Sequence, residues 1–333
     1  MMDFSKGITT SYYLTEVDPE TWEDINRMEI TGGSISRTDA DLRQSAQLTL
    51  TEYDGTLERW VRVYMDAKQG DETVHVPIFT GLATSPQRDY NAGVESITLQ
   101  CYSVLKAAAD IYLQKGYYVG TSAPGTSSIR ALLRSTPAPV IIDGESEALA
   151  DEIIAEANES NLTMADKILK AIGWALQIAG DGTVYITPKQ TQPAAAFSPD
   201  NDVIETSFSR GRDWFACPNI MRATSGDLTA VARDDDPSSE LSTQARGRAV
   251  WASEDSVTLQ DGETIAQYAR RRLKELQQRT ETVQYTRRFI PGVNIGDIVR
   301  LNYTQLSGDY KVTAQTITLD AKGSTQENAQ REI

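Results

Sequence analysis

Ala46-Gln47-Leu48-Thr49-Leu50-Thr51 decides the fold class. Ala46, Leu48 and Leu50 recur at every second residue, with Gln47, Thr49 and Thr51 between them. That is the period of a strand with one dry face and one wet face. The same alternation recurs on both sides. Met28 and Ile30 alternate with polar residues until the run breaks at Gly32-Gly33. Val61, Val63 and Met65 share one face of residues 60–67. Val74, Val76 and Ile78 form another set, and Ile97, Leu99 and Cys101 a further one. Tyr53-Asp54-Gly55-Thr56 reads as a turn. Pro77 lacks an N–H to donate to a ladder, so its run is expected at a sheet edge or a bulge. Short alternating strands between turns predict a small antiparallel barrel or sandwich over residues 1–102, taken here as β-barrel-like.

From Tyr102 the period changes. Val104, Leu105, Ala108 and Ile111 fit a helical stripe. Residues 116–128 are rich in Gly, Ser and Thr and contain Pro124, which predicts a loop. Residues 129–134 suit a further short helix. Thr163-Met164-Ala165-Asp166 resembles a capping box with Asp in the place of Glu or Gln. Ile168, Leu169 and Ile172 then form one helix face, and Gly173 ends the helix. Trp174, Leu176 and Ile178 alternate, Gly180-Asp181-Gly182 turns the chain, Val184 and Ile186 continue, and Pro188 closes the hairpin. Residues 103–200 are therefore expected to be an inserted α+β domain, with a Pro- and Ala-containing linker over 190–199.

Residues 201–320 predict a second β-barrel-like module. Residues 203–207 and 219–225 read as extended. Residues 263–278 form the strongest helix, with Ile265, Tyr268, Ala269, Arg272, Leu273 and Leu276 along one side. Asp261 and Glu263 near its start, and Arg270, Arg271, Arg272 and Lys274 further on, suit the helix dipole. Residues 283–289 suit a strand, and Gly308-Asp309 turns the chain into Tyr310, Val312, Ala314, Ile317 and Leu319. Residues 321–333 are a polar tail without apolar period, expected to fray. The fold class is α+β and β-rich: two small antiparallel β-barrel-like modules with an inserted α+β domain. Ile97-Thr98-Leu99-Gln100 and Ile317-Thr318-Leu319-Asp320 close the two modules alike. One barrel used twice, or one domain split by the insert, fits both.

The formal net charge of −15 argues against gripping a phosphate backbone, which needs a basic face. The one histidine, His75, lies between Val74 and Val76 and should face solvent. No motif brings it a nucleophile or an orienting acid. Cys101 and Cys217 read as buried free thiols. Asp234-Asp235-Asp236-Pro237 lacks the spacing and closing Glu of a calcium loop and reads as a solvated turn. Arg270, Arg271 and Arg272 point in different directions on a helix and are expected in exposed salt bridges. There is no phosphate-binding Gly pattern, no secretory signal in residues 1–10, and no apolar run near the ~18 residues that span a bilayer. Synthesis and folding in a cytoplasm follow. No catalytic, cofactor-binding or metal-ligating residue is assigned, and an enzyme is not expected.

Several stretches carry a resemblance. One runs through Asp236-Pro237-Ser238-Ser239, residues 259–273 with Tyr268-Ala269, and Val293-Asn294-Ile295-Gly296-Asp297-Ile298-Val299-Arg300-Leu301, then Gly308-Asp309-Tyr310-Lys311-Val312. It resembles the C-terminal part of phage tail hub proteins. Phe79-Thr80-Gly81-Leu82 and Ile97-Thr98-Leu99-Gln100-Cys101-Tyr102-Ser103 resemble the end of the first barrel in that family, and residues 163–187 its inserted domain. The resemblance implies a homotrimeric hub at a phage tail tip or baseplate, or in a related contractile injection particle. Paired barrels would join a six-fold tail tube to a three-fold spike or tip and line the DNA channel. Implied partners are the tube or distal tail protein, the spike or tip protein and the tape measure protein, without specific nucleic-acid binding or membrane insertion. The location implied is a virion tail assembled in the host cytoplasm. No appended lysozyme-like or peptidase domain is seen. A carbohydrate-binding module is the alternative, with Tyr117-Tyr118 or Trp214-Phe215 as its aromatic platform. A cell-wall hydrolase is the third reading.

Overall fold

The computed structural model describes all residues except Met1, Ser5, Asp41, Asp54, Thr56, Leu57, Ala92, Gly93, Asp202, Ser256, Thr258, Gln260, Asp261 and Ile333. The turn at Asp54 and Thr56 and the acid at Asp261 lie outside the described residues. The first stretch holds seven strands: β1 (Thr9–Val17), β2 (Asp24–Thr38), β3 (Gln44–Leu50), β4 (Arg59–Gln69), β5 (Glu72–Ala83), β6 (Gln87–Asn91) and β7 (Val94–Ser103). The middle holds α1 (Lys106–Ala109), β8 (Tyr118–Val119), α2 (Gly125–Leu132), β9 (Val140–Ile142), β10 (Ile153–Ile154), α3 (Asn161–Ile172), β11 (Trp174–Ile178) and β12 (Val184–Pro188). The rest comprises β13 (Pro193–Phe197), β14 (Ile204–Arg212), β15 (Ile220–Ser225), β16 (Leu228–Arg233), α4 (Thr243–Arg246), β17 (Trp251–Glu254), α5 (Ile265–Arg279), β18 (Glu281–Arg288), β19 (Ile298–Tyr303), β20 (Leu306–Thr318) and β21 (Ser324–Arg331). The protein is β-rich around one large, mostly antiparallel sheet.

Six N-terminal strands run β1-β4-β5-β7-β3-β2, and pairing of β1 with β2 closes them into a ring. Alternation explains the interior. Leu48 pairs with Leu99, Leu50 with Ile97 and Ala46 with Cys101. All six are buried, as are Val61, Val63 and Met65. Each large apolar side chain buried there contributes about 1.5–3 kcal/mol. Pro77 sits at a bulge, as its missing N–H required. Val63 faces Phe79 and Tyr64 faces Pro77, leaving Ile78 as the extra residue. Gly32-Gly33 does not end its strand. β2 runs through both glycines with a register shift, and a Cβ on Gly33, at φ +139°, would lie 2.2 Å from the Gln47 carbonyl oxygen. The glycines let the strand bend where a side chain would collide.

The C-terminal strands form a second unit of six, β13-β19-β20-β21-β18-β14, with no pairing between β13 and β14 among the described residues. Residues 193–197, expected in a linker, are thus a strand parallel to β19. β20 is long enough to serve both units. Its first half pairs with β19 and its second half with β2, where Ile35 faces Ile317 and Arg37 faces Gln315. Residues 324–331, expected to fray, instead form β21 between β20 and β18. Its inward side chains, Thr325, Glu327 and Ala329, are buried. Glu327 explains the strand. Its carboxylate accepts from Arg287 Nε at 3.0 Å and Nη2 at 2.6 Å, with both side chains fully buried. Gln315 Nε2 adds a bond at 2.5 Å.

The insert has its own core, from Val104 to Ile186, with Met164, Ala165 and Ile168 fully buried. α3 begins at Asn161, but its cap lies earlier than the Thr163 box. Ser160 is its cap and accepts from the Thr163 N–H, while Gly173 ends it in the left-handed region. α2 starts earlier than expected, at Gly125, because a Cβ there would meet Ile172 and Ile168 at about 3 Å and glycine lets the two helices close. The hairpin β11–β12 pairs Trp174 with Pro188 through to Ile178 with Val184. A separate core joins α5 to the small sheet β16-β15-β17 through Met221, Ala223, Ala269 and Leu273. Thr264 and Gln267 form a reciprocal capping box at the start of α5.

Replacing Glu327 by Gln is expected to lower stability by about 3–5 kcal/mol, since Arg287 is left buried without a counter-charge. The double variant Arg287→Met/Glu327→Leu should recover most of that loss, and urea denaturation followed by circular dichroism reads both.

Candidate assembly surfaces

Arg62 lies between Val61 and Val63 and points out of the ring, yet it is only 6% exposed. The hairpin of the insert covers it. Arg62 Nη1 meets Asp24 Oδ1 at 2.6 Å, Nε donates to Thr80 Oγ1 at 3.2 Å and Nη2 to the Asp181 carbonyl at 3.3 Å. Trp22 Nε1 donates to the same carbonyl at 3.2 Å, and Thr80 Oγ1 donates to the Gly180 carbonyl at 2.8 Å. A Cβ on Gly180 would lie 1.9 Å from the Pro77 carbonyl oxygen, so the turn sits directly on the bulge. From β11 of the same hairpin, Gln177 Nε2 donates to the Ile295 carbonyl at 3.0 Å and to Asp297 Oδ1 at 2.9 Å. Burial raises the Asp297 carboxyl above its ordinary range, against the lowering effect of the Asn294 N–H and of Gln177. Gln44 donates to the Ile178 carbonyl at 2.8 Å and Arg43 pairs with Asp166. The insert is thereby fixed across the junction of the two six-stranded units.

The residues singled out from the sequence are scattered rather than convergent. His75 is exposed on β5, with Nδ1 2.6 Å from Asp66 Oδ1. The nearby Tyr13 and Tyr64 rings stack at 5.0 Å. Cys101 and Cys217 are both buried and free. Burial pushes the Cys101 thiol up to about 12. Asp234, Asp235 and Asp236 lie in a turn. Asp234 accepts from Ser239 Oγ at 2.7 Å and Gln277 Nε2 at 3.0 Å, and Asp236 accepts from the Ser238 N–H at 2.8 Å. Arg271 pairs with Glu263 and Glu275, and Arg272 with Glu254 and Glu275. Among the described residues, no helix is long and apolar enough to cross a membrane.

The aromatic candidates do lie on the surface. Tyr118 is 64% exposed, and with Tyr112, Tyr117 and Ile111 it lines a concavity of about 700 Å³ on the insert. Phe215 is 79% exposed in a turn whose N–H groups at Phe215 and Ala216 are held by Asp213 Oδ1 at 2.9 and 3.0 Å. Arg248 lies over the Phe215 ring at 5.4 Å and Arg212 over Trp214 at 5.5 Å. Arg246 donates to the carbonyls of Trp214 and Cys217, tying this turn to the end of α4. Sequence reading missed Trp251, Arg246 and Arg248. The signal was residues 241–253, which carry two arginines and no acid.

No protein-family model matches this chain, and no curated protein does. Solved structures do. The chain is similar to the 43 kDa tail protein of prophage MuSo2 from Shewanella oneidensis, at 15% identity and TM-score 0.67 over 97% of this chain and 98% of that one. It is similar to the tail protein from Neisseria meningitidis MC58, at 11% identity and TM-score 0.68 over 97% and 96%. The chain has the fold of phage tail proteins. Prophage tail protein gp18 from Listeria monocytogenes EGD-e is similar too, at 13% identity and TM-score 0.55 over 97% and 94%. Coverage of nearly the whole chain means that the tail-protein fold takes in the insert and both six-stranded units together.

Gly180→Ala is expected to loosen the insert and to speed tryptic cleavage after the exposed Lys189 by about tenfold. Gly120→Ala, whose added Cβ meets only Tyr118 at 3.7 Å, should leave the rate unchanged. Both thiols should resist an aromatic disulfide reagent until the protein unfolds, because neither sulfur is reachable and Cys101 stays protonated.

Proposed function

We propose that this protein is the structural hub of a phage tail tip or baseplate, a trimeric adaptor without enzymatic activity. The observation that carries the reading is the pairing of β2 with β20. It sets two units of six strands edge to edge within one chain. Read as two barrel modules, three copies would present six near-equivalent units, which is what matching a six-fold tube to a three-fold spike or tip requires. The closed N-terminal ring also leaves no free edge among its six strands to aggregate. Tail-tube or distal tail protein, spike or tip protein and tape measure protein are the partners, and the place of action is the tail of a virion assembled in the host cytoplasm. A net charge of −15 would let DNA pass through the lumen without adhering. Residues 1–102, 103–200 and 201–320 are the proposed first module, insert and second module, with β13 and β21 joining the second module through their pairing with β19, β18 and β20.

Similarity to tail proteins in both fold and coverage supports this over a wall-binding or hydrolytic role. The purified chain is expected to sediment at about 110 kDa, three times the 36.7 kDa of one copy, and to form three-fold rings by electron microscopy. A monomer at every concentration, with tail partners present, would end the proposal. Binding to isolated cell walls, lost on substituting Tyr118, would replace it with the carbohydrate reading.

A further inference from the structure

The charges of this chain are segregated. Between Arg134 and Lys167 there is no Lys or Arg, and Asp143, Glu145, Glu147, Asp151, Glu152 and Glu156 are all exposed. Their carboxylates make no ion pair among the described residues. Beside them stand exposed apolar groups: Ile154, 53% exposed, pairs across the short ladder with Tyr118, 64% exposed. The insert therefore presents a surface that is acidic and apolar at once.

The small sheet β16-β15-β17 presents the opposite. Met221, Ala223, Ala230, Ala232 and Ala252 face α5, so the alternate positions face away. These are Arg222, Val231, Arg233 and Trp251, with Val231 49% and Trp251 57% exposed. The latch from Arg246 to the Trp214 and Cys217 carbonyls sets Phe215 and Arg248 at the end of the same sheet, where the Asn219 side chain bonds to the Arg248 carbonyl at 2.9 Å. Only weak acid neighbours offset the charge. Asp255 is 4.0 Å from Arg222 and Asp235 is 3.4 Å from Arg233, all well exposed, and Asp213 is occupied by its own turn. Arg210 and Arg212 are taken up by Glu281, at 2.8 and 3.5 Å, so the basic charge of the face is that of Arg222, Arg233 and Arg248.

We propose that the outer face of this small sheet, around Arg222, Arg248, Phe215 and Trp251, receives the acidic insert surface around Asp151, Glu152 and Ile154 of a second copy of this chain. This rests on the homo-oligomeric reading and names the surfaces that would make it. Arginine and tryptophan are the residues that dominate association energies, and here they are exposed and pre-positioned. Acidic and apolar groups on the insert complement them in both respects. The two surfaces lie on different parts of one chain, so each copy uses one face to give and another to receive. Such a head-to-tail contact closes into a ring when the rotation between copies divides a full turn.

Charge exchange tests it. Arg222→Glu/Arg248→Glu and Asp151→Lys/Glu152→Lys are each expected to raise the concentration for half-assembly by about a hundredfold, read by sedimentation of the full chain, with circular dichroism unchanged. Combining all four substitutions in one chain should restore assembly, because every opposed pair is again of opposite sign; mixing the two double variants should not close a ring of three, since an odd ring always sets two like copies side by side. Unchanged assembly in either double variant overturns the proposal while leaving the oligomer intact. Loss of assembly without restoration in the four-fold variant overturns the pairing. A wild-type chain that never associates removes the oligomeric reading itself. Retarded duplex DNA that is lost in Arg222→Glu/Arg248→Glu, with assembly unchanged, assigns the basic face to nucleic acid and also overturns it.

Discussion

The buried ion pair between Arg287 and Glu327 is the constraint on which the two halves of the large sheet depend. An isolated charge at either position would be very unfavourable in that interior, so the pair forms only when β18 and β21 meet in one register. Gln315 ties it to β20, and the Gln315 Oε1 lies 3.5 Å from Arg37 Nη1 of β2, which belongs to the N-terminal ring. Arg37 in turn donates to the Ile78 carbonyl at the bulge. Burial first, and the neighbouring Arg287 second, bring Arg37 down to about 10, still protonated at neutral pH. The Arg287 guanidinium also lies over the Phe197 ring at 5.4 Å, which reaches β13. One polar thread thus runs from the edge of the second unit to the bulge of the first. Apolar packing alone would fill each unit but would not set their mutual register, because small apolar side chains tolerate slippage that a bidentate ion pair does not.

The Ile78 bulge is where this thread meets the insert. An extra residue in β5 bends the strand locally, and the Gly180 turn lies on the Pro77 carbonyl where no side chain would fit. The outward-facing Arg62 is consumed in the same contact. A strand position that should be wet is instead shielded by the Asp181 carbonyl and Trp22. The bulge therefore couples the ring, the insert and, through Arg37, the second unit.

These facts explain which parts of the fold were legible in the sequence. The ring strands were, because their interior is apolar and their period is two. The α3–hairpin unit was, because Gly173 and the glycines around Asp181 punctuate it. The last strand was not. Ser324-Thr325-Gln326-Glu327-Asn328-Ala329 carries its inward residues at period two, but two of the three are polar, and a search for apolar alternation passes over them. Residues 193–197 were hidden for a related reason. Alanines alternating in exposure beside a proline look like a linker until Phe197 is seen to pack under Arg287. Among the surface candidates, Phe215 was visible as half of the adjacent aromatic pair Trp214-Phe215. Trp251 and Arg248 were not, since only the parallel pairing of β17 with β15 brings them onto that face.

The same logic bears on why a chain of net charge −15 carries a local arginine surface at all. Uniform negative charge keeps copies soluble and apart, which suits a protein that must wait for its partners. It also opposes every contact between copies. An assembly protein therefore needs places where the sign reverses, and those places must be stiff enough to keep exposed arginines from folding back onto the abundant acids nearby. Stacking of Arg248 on Phe215 and the latch of Arg246 onto two backbone carbonyls meet that need without using a carboxylate. A carboxylate partner would have neutralised the surface; a ring face or a carbonyl oxygen orients the guanidinium and leaves its charge in place.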